Sequence, residues 1–220
     1  MQIRNKYLSA AWKLLASAAG TLGILLQCGV FSGKPDFSVL NYFTLMSNVL
    51  CAVYFLCAAV QLLRGRPAFW KRAKGAMLLC ILVTGLVYHF MLHGRFEMQG
   101  TLFWSNTLLH YVVPVMSLLD WLFFDEKGAY SWRDPFLWLL APTGYFIYVV
   151  VRVHFGAILG PYGSPYPYFF MDAGTLGWGL VLAINLGLLA GFLLLGLLLT
   201  AVDKALARVG RSCAAGSQRI

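Results

Sequence analysis

Two apolar stretches carry polar side chains at helical spacing. In Asn41-Tyr-Phe-Thr-Leu-Met-Ser-Asn48, Thr44, Ser47 and Asn48 stand at i, i+3 and i+4, on one face of a helix. Further along, Asn106 and His110 are four residues apart, and Pro114 lies one turn beyond them. A hydroxyl and an imidazole brought together form a nucleophile and its base. The imidazole takes the hydroxyl proton as the oxygen attacks a carbonyl carbon. Asn48 and Asn106 are candidate hydrogen-bond donors to the resulting oxyanion, and Ser47 shares their face as a positioning residue or a rival nucleophile. Plainer readings exist for each residue. A Thr in an apolar helix often bonds back to the carbonyl at i−4, Asn often joins helices, and a single His can be a packing residue.

The elements that must position these groups follow from composition. Of 220 residues, 60% are hydrophobic and 11% are charged, more apolar surface than one soluble core of this size can hide. The pattern predicts an all-α polytopic membrane domain with six spans, at about residues 8–31, 39–63, 73–93, 102–124, 135–154 and 173–202, followed by a disordered basic tail. The first span imitates a secretory signal, but its run is long and lacks a small-x-small cleavage site, so it is read as uncleaved. With both ends in the cytoplasm, fourteen of the seventeen Lys and Arg fall on that side, Lys13 and Lys74 among them. Only Lys34, Arg95 and Arg152 fall outside. Pro67 is then cytoplasmic and Gly100 external. The formal charge of +9 sets orientation and attracts lipid headgroups; no basic-aromatic surface suited to nucleic acid is present.

Both polar clusters lie toward the outer ends of their spans. Thr44 sits roughly 8 Å and His110 roughly 12 Å below that surface at 1.5 Å per residue, so the two can meet. Pro114 withholds a backbone donor and bends the helix beside the histidine. His89 and His93 are four apart, with Glu97 four further on. That spacing suits a metal, but no HExxH pattern is present, and the histidines read instead as a wet outer rim. No metal or cofactor is expected. The five cysteines, four of them inside apolar runs and none in a CxxC pair, read as packing residues. Ala183, Gly187 and Gly191 recur every four residues. They predict close helix packing inside the bundle or, alternatively, a homodimer through the sixth span.

The ordered set Tyr42-Phe-Thr44-Leu-Met-Ser47-Asn48, Asn106-Thr-Leu-Leu-His110-Tyr-Val-Val-Pro114 with Leu119-Asp120-Trp121, and Pro165-Tyr-Pro167 followed by Asp172 resembles a known family. It is the six-pass family of the androgen-induced and androgen-dependent membrane proteins of animals and many bacterial integral-membrane proteins. The likeness spans nearly the whole chain, with one extra residue before Asp172. Its animal members are threonine hydrolases of fatty acid esters of hydroxy fatty acids. The resemblance implies Thr44 as nucleophile and His110 as base, without carrying over the substrate.

The resulting expectation is a lipid ester hydrolase whose substrate enters sideways from the bilayer, with its site toward the non-cytoplasmic leaflet. Asp172 is expected to cap the sixth span or, less simply, to orient His110 as a third triad member. Asp120 lies roughly 15 Å along the helix from His110 and is excluded from the site. Arg152 reads as an interfacial cation or as a contact for a substrate carboxylate. The competing class is non-enzymatic: a small transporter, channel or lipid-binding scaffold using the same polar face.

Overall fold

In the computed structural model the described residues are 2–3, 5–66, 70–95 and 99–217, with side chains described up to Arg211. They are helical, with no strand among them. The helices are α1 (Lys6–Gln27), α2 (Phe43–Leu63), α3 (Lys71–Val87), α4 (Gly100–Thr107), α5 (Val113–Phe124), α6 (Asp134–Trp138), α7 (Leu140–His154) and α8 (Ala173–Ser217). Six helical units are long and apolar enough to cross a membrane. The third extends α3 to Leu92, the fourth joins α4 to α5, and the fifth joins α6 to α7. The protein is an integral, multi-pass membrane protein. Pro67 and Glu97 lie outside the described residues, as does the side chain of Cys213.

Local chemistry sets several helix ends. Asn5 starts α1: its side-chain oxygen accepts from the Tyr7 and Leu8 N–H groups. Gly29 and Gly33 adopt φ of 66° and 71°, turning the chain out of the first span. Pro135 sits in the first turn of α6, where its missing N–H is harmless. The sixth helix departs from expectation at its far end. It continues to Ser217 rather than stopping near 202, so the stretch read as a disordered tail is helical to that point.

The first four spans make the core. Ala16, Cys51, Phe55, Met77, Leu78, Ile81 and Val113 pack there, all nearly inaccessible. Small residues let backbones approach. A Cβ on Gly23 would lie 2.7 Å from Leu109, and one on Gly75 would lie 2.1 Å from the Trp138 ring. Hydroxyls tie helices together: Ser17 donates to Ala52 O at 2.8 Å, and Ser105 to Gly23 O at 2.9 Å.

Near the end that bears the termini, charges are buried between helices. Asp120 is inaccessible and accepts from Lys13 at 2.7 Å and from Lys74; Lys74 also reaches Asp125 at 2.5 Å. Lys13 and Lys74, counted from sequence with the cytoplasmic charges, therefore belong to an internal ion network. Setting both aside leaves twelve cationic residues against three, the same asymmetry. Asp203 of α8 accepts from the Gly128 and Tyr130 N–H groups at 2.9 and 3.0 Å, fastening the sixth span to the 125–133 loop.

The fifth and sixth spans join this core through Trp138 and Leu199 but are otherwise less buried. They are sealed to it at two levels: around Pro135, Trp138 and Gly196 at one end, and around Val149, Leu159, Phe170 and Met171 at the other. The small-residue stripe does not pack inside the bundle. Ala183, Gly187 and Gly191 are exposed, and a Cβ added to either glycine would meet nothing within 4 Å. The stripe faces outward because α8 turns its leucine and phenylalanine side chains, not its small residues, toward α3.

Candidate active site

Thr44 is the second residue of α2, and His110 is ten residues beyond the start of α4. Despite these different positions along their helices, Thr44 Oγ1 and His110 Nε2 are 3.3 Å apart. The Thr hydroxyl meets this imidazole and a tyrosine, with no bond to a carbonyl one turn back among its described contacts.

The helix that carries His110 is irregular for an identifiable reason. Leu108–Val112 form a π turn, in which the Val113 N–H reaches back to Leu108 O. Pro114 has no N–H. Leu109 O and His110 O thus lose the donors that a regular α-helix would supply. Each carbonyl is met from another helix. Asn48 Nδ2 donates to Leu109 O at 3.2 Å and to Thr44 O at 2.8 Å. Gly85 lies against His110 O, so close that a Cβ there would approach to 2.8 Å. Pro114 therefore acts through the register of carbonyl partners rather than through a simple kink.

This arrangement fixes the imidazole. His110 Nδ1 is 3.1 Å from Asn106 O, which can only accept, so Nδ1 carries the proton. In the neutral ring Nε2 is then the acceptor, and it faces the Thr44 hydroxyl. Tyr88 stacks on the ring, 4.0 Å between centroids at 26°. Asn106 Nδ2 donates to the Tyr88 hydroxyl at 2.7 Å. Asn106 thus holds the histidine twice, through its own carbonyl and through Tyr88. Tyr88 opens a second π turn, Tyr88–Leu92, on the neighbouring span.

Two oxyanion candidates are committed elsewhere. Asn48 is fully buried and spends its donors on two carbonyls; its side-chain oxygen has no protein partner. Asn106 directs one N–H of its amide to the Tyr88 hydroxyl. Ser47 bonds to Thr84 Oγ1 at 2.8 Å and to Thr44 O at 3.0 Å, and no imidazole is within its reach. Asp172 caps α8: it accepts from the Gly174 and Thr175 N–H groups at 3.0 and 3.1 Å and from the Thr175 hydroxyl at 2.8 Å. The alternative role for Asp172, orienting His110, is therefore corrected: a backbone carbonyl does that work. His89 approaches Tyr111 at 3.3 Å, and no cluster suited to a metal ion occurs among the described residues.

Tyr168 was not singled out from sequence. Its hydroxyl is 3.5 Å from Thr44 Oγ1 and accepts from the Thr44 N–H at 3.4 Å. The available signal was its place directly after Pro167, in an aromatic loop returning to the outer ends of the spans. Arg152 donates to the Tyr148 hydroxyl at 3.1 Å, and Tyr148 donates to Asn41, so its nearest partners are on the protein.

Beside Thr44 a cavity of about 210 Å³ opens between α2, α3, α7 and α8. Its lining is mostly apolar, with Val87, Leu182, Leu186, Leu189 and Phe192; Thr44, Thr84, Thr143, Tyr168 and Asn185 supply its polar groups. From Leu182 to Phe192 it follows α8 for roughly 15 Å. Leu182 and Leu186 are also exposed on the outer surface, so the wall toward lipid is one side chain thick. His110 does not line the cavity and meets it only through Thr44; His89 and Tyr111, in contact with each other, lie outside its lining too. Comparison with protein-family profiles, curated proteins and solved structures finds no match to this chain.

Proposed function

We propose that this protein is an intramembrane threonine hydrolase of lipid esters. The observation that carries the reading is a Thr44 hydroxyl facing the proton-accepting nitrogen of a carbonyl-oriented His110, beside a largely apolar cavity. The motif resemblance, which extends to fatty acid esters of hydroxy fatty acids, agrees with it. In this reading the ester's acyl chain enters between the fifth and sixth spans and lies along α8. Its carbonyl stops at Thr44. The Thr44 proton passes to His110 Nε2 as the Oγ1–C bond forms. The tetrahedral intermediate collapses, the ester C–O bond breaks, and the leaving alcohol takes the proton from Nε2. Water then reaches the acyl-threonine, gives its proton to His110, and releases a carboxylic acid as Oγ1 is reprotonated. With the termini cytoplasmic, this chemistry faces the non-cytoplasmic leaflet.

A fluorophosphonate probe tests the nucleophile. The adduct is expected on Thr44 in the purified protein, located by mass spectrometry after digestion. An adduct on Ser47 or elsewhere, with Thr44 unmodified, removes Thr44 from the mechanism. A second reading, a lipid-binding scaffold, draws on the apolar lining of the cavity. It requires lipid uptake by the folded protein with neither turnover nor adduct.

A further inference from the structure

The reaction above creates a negative oxygen beside Thr44. Asn48 has both its N–H groups on carbonyls, and Asn106 is held against Tyr88 and the histidine, with no contact to Thr44 among its described hydrogen bonds. We propose that the Tyr168 hydroxyl is the oxyanion donor of this site, held in place by the first turn of α2. The inference rests on the hydrolase reading and adds a catalytic residue to it.

The geometry begins at Tyr42. It occupies the N-cap position of α2 with extended backbone, φ −77° and ψ 140°, yet its side chain accepts no N–H from the first turn. Such a helix start leaves donors exposed. The Thr44 N–H is one of them, and it donates to the Tyr168 oxygen at 3.4 Å. A phenol that accepts through its oxygen aims its own proton elsewhere, and two hydroxyl oxygens are beside it: that of Tyr145, which donates its own proton to Asn41 O at 3.1 Å, and that of Thr44. The Thr44 hydroxyl lies 3.5 Å away on the cavity side. An ester carbonyl attacked by Oγ1 brings its oxygen into that space, where the phenol can donate to it. Negative charge there also faces the positive end of the α2 dipole.

The ring is fixed independently of the hydroxyl. It stacks on Phe170, 5.2 Å between centroids at 3°, and meets Tyr42 edge-on at 5.7 Å. With the ring held, only the O–H need turn, from Thr44 Oγ1 to the neighbouring oxygen as charge develops there, which keeps the reorganisation small. Burial raises the phenol above its ordinary ionisation range, so it stays protonated and able to donate.

Tyr168→Phe keeps the ring and removes the donor. In an ester assay on purified protein, kcat is expected to fall by about 10²–10³ with KM nearly unchanged. Two inhibitors separate catalysis from support. A trifluoromethyl ketone analogue, which forms an anionic adduct with Thr44, should lose affinity by a similar factor. The matching alkyl ether, which forms none, should bind the variant as it binds the wild type. The ether also reports that the cavity is intact. Wild-type turnover with a variant kcat within about threefold of it overturns the Tyr168 assignment. Equal losses for ketone and ether overturn it too, because the hydroxyl would then be supporting the fold. Wild-type protein that binds the ether but neither turns over ester nor forms the ketone adduct overturns the hydrolase reading itself.

Discussion

Replacing Asp120 with Asn should destabilise the protein strongly without touching Thr44 or His110. Asp120 is inaccessible, and one carboxylate serves both Lys13 and Lys74, from the first and third spans. Asp125 also pairs with Lys74, so two cations and two anions balance. Asp120→Asn leaves the two lysines with one carboxylate, and one buried ammonium loses its counter-charge. Removing one partner of a buried pair costs about 3–5 kcal/mol. For a chain of this size each kcal/mol moves the midpoint by about 2–4 °C, giving a fall of roughly 6–20 °C. The assay is thermal unfolding in detergent, followed by intrinsic fluorescence and by loss of the monodisperse chromatographic peak. Charge balance supplies an internal control. Lys13→Met combined with Asp120→Asn leaves Lys74 with Asp125, so the double variant should be more stable than Asp120→Asn alone. A single variant within about 1 kcal/mol of wild type, or a double variant no better than the single, would refute the argument that the network is held by charge pairing.

Thr44→Val should lose turnover by more than about 10³ and lose the fluorophosphonate adduct together, whereas Thr44→Ser keeps measurable activity. Ser47→Ala should still label, because that hydroxyl is spent on Thr84 and the Thr44 carbonyl. His110→Ala should reduce kcat by about 10²–10⁴, and wild-type activity should fall toward acid as the ring takes a proton on Nε2 and can no longer accept one; an activity that rises in acid rejects the base assignment. Leu189→Trp fills the cavity partway along α8. If it displaces about two methylenes, the preference for shorter over longer acyl esters should grow by roughly tenfold or more; an unchanged chain-length profile in a graded ester series moves the acyl site elsewhere.

Six spans were legible because each requires a long apolar run, and such runs leave few alternatives. The proximity of Thr44 and His110 was legible only as matched depth, since depth says nothing about which faces meet. What brought them together was not visible. A π turn leaves no mark in a search at a period of 3.6, and Pro114 reads as a bend rather than as the reason Leu109 O needs Asn48. The partners of Lys13 and Lys74 were hidden for a related reason. Near the end of a span a lysine looks interfacial, and the carboxylate that draws it inward lies 107 or 46 residues away in sequence. The stripe at Ala183, Gly187 and Gly191 had the right spacing for internal packing, but spacing does not say which side of α8 meets α3. Tyr168 escaped notice because its role depends on how a loop closes over the end of α2.

The wide turn at Leu108–Val112 sets the helical phase of everything beyond it. The fourth span carries His110 near one surface and Asp120 near the other, and each must point at its own partners. Winding the same residues as a regular helix, without the wide turn, would swing one half against the other by about 100°. Either the imidazole would leave Thr44 or the carboxylate would leave the lysines. The extra residue wound into this turn is therefore what lets one span serve two sites on different faces, as a washer under one end of a bolt sets where both ends engage.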